Sequence, residues 1–191
     1  MEHFSDETIG SVRLLNKQLA DTLDLRSQAR QSYFNARGPY IQELRDLFAG
    51  LGRDLCQITG LIAEGINETG GYAIATARSV ARESGLREYP VDVLDARDQL
   101  ATLLSNYSRY ELDTRNNMKA AREAGESATV LLLHVILSSI ENHLWFIDAY
   151  LEGIVTGHGN QLPAWTSSLS NQPRINWSES VVCFPSDMIG M

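Results

Sequence analysis

The sequence predicts an all-α fold in which four long helices form a bundle, with a short helix in one long connection. Apolar residues recur at helical spacing over four long stretches of the chain. Glycine or proline pairs separate several of these stretches. The connection between the second and third stretches is long enough to let those two helices run parallel. A chain of 191 residues can bury one core of ordinary domain size, so we expect a single bundle followed by a tail.

The first helix is predicted from about residue 6 to residue 37. No glycine or proline interrupts it after Gly10, and its apolar positions recur at helical spacing: Ile9, Val12, Leu15, Leu19, Leu23 and Ala29. Gly38 and Pro39 then break the pattern, and a proline suits the first turn of a following helix.

The second helix is predicted to follow this break and to end at Gly70-Gly71. Its apolar stripe consists of Ile41, Leu44, Phe48, Leu51, Leu55, Ile58 and Ile62. It also contains four interior glycines, Gly50, Gly52, Gly60 and Gly65. Each glycine costs about 1 kcal/mol of helix propensity relative to alanine. We therefore expect tertiary packing, including close approach of another helix, to compensate.

The connection after the second helix is predicted to contain a short helix over residues 76–82, followed by a stop at Tyr89-Pro90. Asp92 and Asp95 suit the start of a third long helix, because carboxylates stabilise helix N-termini. That helix is marked by Leu100, Leu103, Leu104, Tyr107, Met118 and Ala121, and it continues towards Gly125.

The fourth long helix is predicted from Ser127, a candidate cap, to about Gly153. Its apolar side consists of Val130, Leu133, Leu137, Ile140, Leu144, Ile147 and Leu151. Residues 1–152 are therefore expected to form the bundle, and residues 153–191 a tail. The tail contains Pro163, Pro173 and Pro185, yet it is too apolar for a freely solvated segment. We therefore expect it to dock on a neighbouring subunit. Its apolar residues are Trp165, Leu169, Ile175, Trp177, Val181, Val182 and Phe184.

Charge and composition exclude several classes of function. The net charge is −8 and the only lysines are Lys17 and Lys119, so DNA binding should be weak, because phosphate binding scales with the cations presented. Residues 1–10 carry no Lys or Arg, unlike a signal peptide. No apolar run approaches the roughly 20 residues that span a bilayer, so we expect a cytoplasmic protein without membrane contact. Cys56 and Cys183 lack CxxC spacing and are expected to be reduced.

Several short motifs resemble the Dps-type mini-ferritins. The most specific is QSYFNARGP at residues 31–39, which joins the first two helices. The others are LNKQLAD at 15–21, Gly70-Gly71 with Thr76 and Arg78, EYP at 88–90 and LWF at 144–146. The resemblance implies a ferritin-like bundle in a hollow homododecameric shell. It also implies that iron is oxidised between two-fold-related subunits and stored inside, a chemistry that guards DNA from peroxide.

The resemblance also locates the metal-binding positions of the family on this chain. They correspond to Tyr33, Arg45, Gly60 and Glu64, where the family has two histidines, an aspartate and a glutamate. Only Glu64 keeps the family residue. Tyr33 binds a metal only after losing a proton whose ordinary pKa is about 10, Gly60 has no side chain, and Arg45 repels Fe²⁺. We therefore expect a degenerate ferroxidase site at the two-fold interface near Tyr33, Arg45 and Glu64.

Two further expectations concern charge at the subunit interfaces. An Arg45 to Glu64 ion pair across the dimer interface would replace the metal, and the alternative is that Glu64 is a solvated or otherwise paired carboxylate. The family's pore aspartates at the start of the last helix are missing. Glu123 and Glu126 are the remaining candidates for a weakly negative pore that attracts Fe²⁺.

Other candidate chemistry is weaker. No Glu-x-x-His occurs, which excludes the di-iron motif of larger ferritins. His134 and His143 are expected to be packed or paired, and Trp145 to lie in the core or an interface. The cationic edge of Arg115, Lys119 and Arg122 is expected to be a solvated face, partly paired through Glu111. A relocated metal site and a plain solvent-facing surface are both open for the carboxylates of the second helix: Glu43, Asp46, Asp54 and Glu68.

Two functional hypotheses follow from these observations. The first is a Dps-like cage protein for iron storage and protection against oxidative stress, with weak ferroxidase activity or a displaced iron site. The second is a catalytically silent shell, or a partner in a mixed shell, that acts through assembly and its tail. DNA compaction is disfavoured by the charge.

Overall fold

A computed structural model describes residues 6–38, 40–93 and 95–155 of the chain. Five helices are present in this part: α1 (Asp6–Asn35), α2 (Ile41–Glu68), α3 (Ala77–Glu83), α4 (Ala96–Glu123) and α5 (Ser127–Val155). The four long helices confirm the predicted bundle, and α3 is the short helix predicted in the connection. The expectations for the tail, including Trp165 and Trp177, and for Cys183 lie outside the described residues.

The helices α2 and α4 run parallel, as the long connection predicts. Gln99 near the start of α4 donates a hydrogen bond to the carbonyl of Asn35 at the end of α1, with an N···O distance of 3.1 Å. Since α2 begins just after that same end of α1, both helices start at one end of the bundle. The α1–α2 and α4–α5 pairs make the most extensive contacts.

The core follows the predicted stripes closely on α2, α4 and α5. Its fully buried side chains include Leu44, Phe48, Leu55, Ile62, Leu100, Leu103, Tyr107, Leu133, Ile140 and Ile147. Asp95 caps α4 by accepting a hydrogen bond from the backbone N–H of Arg97 at 2.8 Å, as its position predicts. These residues fix the register of the bundle because a helix buries only one stripe.

Polar residues of α1 hold the long connection in place. Asn16 donates to the carbonyl of Tyr72 at 3.0 Å and accepts from the N–H of Ile74 at 2.8 Å. Asp21, which is 2% exposed, accepts from the N–H of Gly85 at 2.7 Å and pairs with Lys17. The LNKQLAD motif therefore has a structural explanation, because its side chains anchor both ends of the segment that carries α3.

The interior glycines of α2 only partly match the expectation of close helix approach. A Cβ built on Gly65 would lie 2.7 Å from a methyl group of Leu132 in α5, so this glycine permits close packing. A Cβ on Gly60 would meet nothing within 4 Å. Gly50 is similarly open, because its nearest atom is the Arg53 guanidinium at 3.9 Å. Sequence alone cannot separate these cases, because propensity does not report what faces a given position.

Several other expectations need correction. α5 begins at Ser127 itself and continues through Gly153 to Val155, because Gly153 keeps a negative φ. Cys56 is disulfide-bonded, so the expectation of a reduced thiol is wrong for this residue. Its isolated position in the sequence says nothing about which residues approach it in space.

The helix α5 also departs from the expected absence of a long apolar segment. Residues 127–154 are long and apolar enough to cross a membrane by length and composition, with a mean hydropathy of 1.5. Only 33% of an 18-residue apolar segment of this helix is buried by the described residues. Leu131, Val135 and Trp145 are each more than half exposed. Trp145 is thus excluded from the core, which leaves an interface as its expected role.

Candidate metal site

The end of α1 and the start of α2 bring Tyr33 and Arg45 together. The Arg45 guanidinium carbon lies 5.7 Å from the centroid of the Tyr33 ring, which is within the range of a cation–π contact. Phe34 packs edge-on against Tyr33 with a centroid distance of 5.9 Å, and it is itself 60% exposed. Because α2 packs along α1, Arg45 near the start of α2 lies beside Tyr33 in the last turn of α1.

The guanidinium of Arg45 lacks a hydrogen-bond acceptor at one of its N–H groups among the described residues. Its Nε is buried and has no hydrogen-bond partner among the described residues. A buried N–H without an acceptor is costly, so an acceptor from outside the described residues would stabilise this arrangement. A fixed positive charge at this position repels a divalent cation such as Fe²⁺.

The other two family positions lie far along α2. Glu64 follows Arg45 by nineteen residues, which places it about 28 Å away at 1.5 Å per residue. Glu64 and Gly60 are both exposed, and the neighbouring Leu61 is 41% exposed. The four positions therefore form two separate half-sites within one chain, and one chain alone cannot assemble them around an ion.

The remaining carboxylates of α2 do not gather into a metal site. No group of three or more His, Cys, Asp or Glu side chains suited to a metal occurs in the part of the chain that the structure describes. Asp46 accepts a hydrogen bond from Gln42 at 3.1 Å, and Asp54 lies 3.0 Å from Nε2 of His143. The relocated site considered for Glu43, Asp46, Asp54 and Glu68 thus gains no support.

The candidate pore and cationic edge are largely paired. Lys119 lies 3.9 Å from Glu123, and both side chains are exposed. Arg115 binds Glu111 at 2.8 Å, as predicted, and also Glu141 of α5 at 2.5 Å. Glu126 is half-buried beside the turn at Gly125, which has a φ of +77°. A paired carboxylate attracts Fe²⁺ less strongly than a free one, and a paired cation attracts phosphate less strongly.

His143 is packed and paired, as expected, in a cluster between α2, α4 and α5 whose other members the sequence did not indicate. His143 is 4% exposed, its Nε2 faces Asp54, and its ring meets that of Tyr107 edge-on with a centroid distance of 5.6 Å. Tyr107 Oη and His143 Nδ1 are both buried with no hydrogen-bond partner among the described residues. Burial raises the pKa of Tyr107 well above its ordinary value, and the charge of Asp54 raises it further. The spacing Ile140, His143, Ile147 could have revealed it, because it places the histidine on the buried stripe.

Comparison with known proteins agrees with this fold. A family model described as a ferritin-like domain matches residues 12–155. The "DNA protection during starvation protein" of Agrobacterium fabrum is 26% identical over 141 residues, which cover 74% of this chain and 87% of the relative. DpsC from Streptomyces coelicolor superposes with a TM-score of 0.74 at 24% identity, over 78% of this chain and 91% of that one.

A third comparison is a Dps protein from Vibrio cholerae O1, described as a member of a broad superfamily of ferritin-like diiron-carboxylate proteins. It superposes with a TM-score of 0.72 at 21% identity, over 76% of this chain and 91% of that one. The fold and the matched residues together define a ferritin-like four-helix protein. The chain belongs to the ferritin-like family and, within it, to the Dps-type mini-ferritins.

Proposed function

We propose that this protein is a cytoplasmic, Dps-like shell subunit for iron storage and oxidative protection in which the usual ferroxidase site is replaced by a cation–π contact. The Arg45 guanidinium over the Tyr33 ring is the observation that carries this proposal. It puts a permanent positive charge where the family binds iron, so oxidation of Fe²⁺ at that position is weak or absent. Iron is the substrate of the protein, and its oxidation proceeds at another site or in the cavity of the shell.

The test is an assay of iron oxidation by the assembled, metal-free protein. We expect that, after aerobic addition of Fe²⁺, ferric absorbance rises at most slightly faster than in buffer. The triple variant Tyr33→His, Arg45→His and Gly60→Asp should be at least about 100-fold faster than the wild type, because it restores imidazole and carboxylate ligands. Gly60 has open space around its Cβ, so an aspartate fits there without a clash within the chain.

Two controls sharpen this assay. The double variant Tyr33→His and Gly60→Asp keeps the Arg45 charge and should stay slow. Light scattering must show that every variant has the size of the wild-type assembly. A wild-type rate far above buffer that survives Glu64→Gln would place oxidation elsewhere in the shell. A correctly assembled but inactive triple variant would refute the lost-ligand explanation.

The second candidate is a catalytically silent shell. It is favoured by the separation of Tyr33 and Arg45 from Gly60 and Glu64 within one chain, because Arg45 and Glu64 of two subunits could then pair. We propose that the protein is a homo-oligomer, a dodecamer by the family resemblance, and that Arg45 binds Glu64 of the partner subunit. Arg45 has a buried Nε without an acceptor in the part of the chain that the structure describes, and Glu64 is an exposed carboxylate too far away on its own chain. In a two-fold interface each contact occurs twice, so two antiparallel copies of α2 would form two such pairs.

Charge exchange tests this ion pair. Arg45→Glu and Glu64→Arg should each weaken assembly, because each places like charges in contact, and the combined variant should restore it. The readout is the fraction of assembled shell by analytical ultracentrifugation at fixed protein concentration. Recovery in the combined variant supports the pair, whereas additive losses show that the two side chains do not meet.

The remaining parts of the proposal concern partners. We propose that residues 153–191 dock on a neighbouring subunit. We also propose that DNA compaction is not the principal role, because the net charge is −8 and the described cationic edge is largely paired. A mobility-shift assay with duplex DNA at low salt should then show no discrete complex.

A further inference from the structure

The cluster of Asp54, His143 and Tyr107, in which the histidine and the tyrosine are buried, plays no part in the proposed iron chemistry, yet its composition is chemically specific. A carboxylate can only accept a hydrogen bond, so the His143 tautomer with its hydrogen on Nε2 donates to Asp54 at 3.0 Å. Nδ1 then carries a lone pair and is a proton acceptor. Tyr107 presents a phenol in the same dry region, with its ring against the imidazole at 5.6 Å.

The two unpaired atoms are complementary. Nδ1 of His143 lacks a donor, and the Tyr107 hydroxyl lacks an acceptor, among the residues that the structure describes. Native proteins pair nearly all buried polar groups, and an exception calls for an explanation such as a redox or catalytic role. The phenol, the imidazole and the carboxylate lie one after another in space. This arrangement resembles a general base that a hydrogen-bonded carboxylate holds in position.

The geometry points to Tyr107 as a redox-active tyrosine: a one-electron oxidant takes an electron from its phenol, and Nδ1 of His143 takes the phenolic proton. The phenol O–H bond breaks, one water molecule relays the proton, an N–H bond forms at Nδ1, and a neutral phenoxyl radical remains on Tyr107. The oxidant, a radical of the kind formed from Fe²⁺ and peroxide, is reduced by one electron. Asp54 offsets the charge of the resulting imidazolium.

The surroundings explain why the proton must move. Tyr107 is fully buried, so oxidation without proton loss would create an isolated cation in the core, which is strongly unfavourable. The titratable groups near the cluster are Asp54 from α2 and Tyr110 from α4, and Asp21 of α1 lies beyond Tyr110. Of these groups, Asp54 is a carboxylate whose charge acts on Tyr107, and its hydrogen bond goes to His143.

Tyr110 provides a matched control one turn away on α4. It is also fully buried, but its hydroxyl is hydrogen-bonded to Thr22 Oγ1 at 2.7 Å. A hydroxyl is a poor proton acceptor, so Tyr110 should not form a radical as readily. The comparison separates the effect of the histidine from that of burial alone.

The experiment uses the assembled full-length protein without iron, which makes its outcome independent of the proposed iron chemistry. A ruthenium tris-bipyridine photosensitiser with persulfate supplies the one-electron oxidant. Transient absorbance and freeze-quenched electron paramagnetic resonance then detect phenoxyl radicals. Because Tyr72 is 86% exposed, all variants carry Tyr72→Phe to reduce the surface background.

We expect a long-lived phenoxyl signal that persists in Tyr110→Phe and is lost in Tyr107→Phe. Tyr107→Phe removes only a hydroxyl that has no hydrogen-bond partner among the described residues, so the shell should assemble normally. An undiminished signal in an assembled Tyr107→Phe shell would overturn the assignment of the radical to this residue.

The proton acceptor is tested separately. His143→Gln should slow formation of the Tyr107 radical by about 100-fold, the low end of what a positioned acid or base contributes. Asp54→Ala, at a side chain that is 53% exposed, tests the same chain of contacts where His143→Gln fails to fold. It should also slow the reaction, and a solvent deuterium effect seen in the wild type should diminish in both variants. Wild-type rates in both variants would overturn the role of His143.

Discussion

At the scale of single residues, the sequence resemblance predicts that Tyr33 and Arg45 replace metal ligands of the family. Their poor suitability for iron is a prediction from the chemistry of a phenol and a guanidinium. The contact between the two side chains could not be predicted, because it depends on how α2 packs against α1. The same limit explains why the His143 cluster was missed, since its three members come from three helices.

Buried tyrosines are expected to make the protein sensitive to alkali. Burial raises the pKa of Tyr110 from 10.0 to about 12. Between these values the unfolded chain has lost the phenolic proton while the folded one still holds it, so the folded state loses stability as pH rises. The limiting loss from this residue is about 2–3 kcal/mol.

Denaturant unfolding at fixed protein concentration, from neutral pH to about pH 12, checks this expectation. Tyr110→Phe should show a flatter decline above about pH 10 than the wild type. Tyr107 and Tyr150 have raised pKa values as well, so a decline remains in the variant. Identical slopes in both proteins would contradict the assignment to Tyr110.

At the scale of elements, the sequence was a reliable guide. Apolar periodicity located all four long helices because a bundle helix must bury one continuous stripe. Boundaries were less certain, as at Gly153, where a glycine was expected to end a helix that in fact continues to Val155. The buried face of α1 was the least predictable, since many of its buried positions are polar. The connection that these side chains anchor explains why they are buried.

Gly50, inside α2, and Gly71, just after the end of α2, should respond oppositely to alanine. Gly50→Ala should stabilise the protein by up to about 1 kcal/mol, because α2 gains helix propensity and the new methyl group meets only ordinary contacts. Gly71→Ala should destabilise it by about 1–3 kcal/mol, because its Cβ would lie 2.6 Å from a methyl group of Val12. Thermal unfolding of both variants at one concentration checks the signs. Equal effects would show that packing around Gly71 relaxes freely.

At the scale of the whole molecule, α5 presents an exposed apolar face in the part of the chain that the structure describes. Leu131, Val135 and Trp145 lie along α5 at helical spacing and are each more than half exposed. A soluble shell subunit would cover such a face with another copy, and a membrane would cover it with lipid. The amino-acid sequence shows that α5 is apolar but cannot show which of its faces the bundle leaves open.

Placing a charge on this face should prevent assembly. Leu131→Glu and Trp145→Glu should each shift the protein from large assemblies towards small species, because a desolvated carboxylate without a partner is costly. Asn116→Glu, at an exposed polar position of α4, adds the same charge and should leave the assembly intact. Light scattering coupled to size-exclusion chromatography measures the mass. Unchanged assembly in both test variants, with vesicle binding in the wild type, would favour a lipid contact.

The contact between Arg45 and Tyr33 also changes how this corner of the subunit responds to its surroundings. A cradle of imidazoles loosens in mild acid and depends on metal supply, because protons and cations compete for the same nitrogen lone pairs. A guanidinium keeps its proton throughout the physiological range and offers no lone pair to a cation. The cohesion of this corner is thereby uncoupled from both acidity and iron status, so it persists under the starved or acidified conditions in which an imidazole cradle would empty.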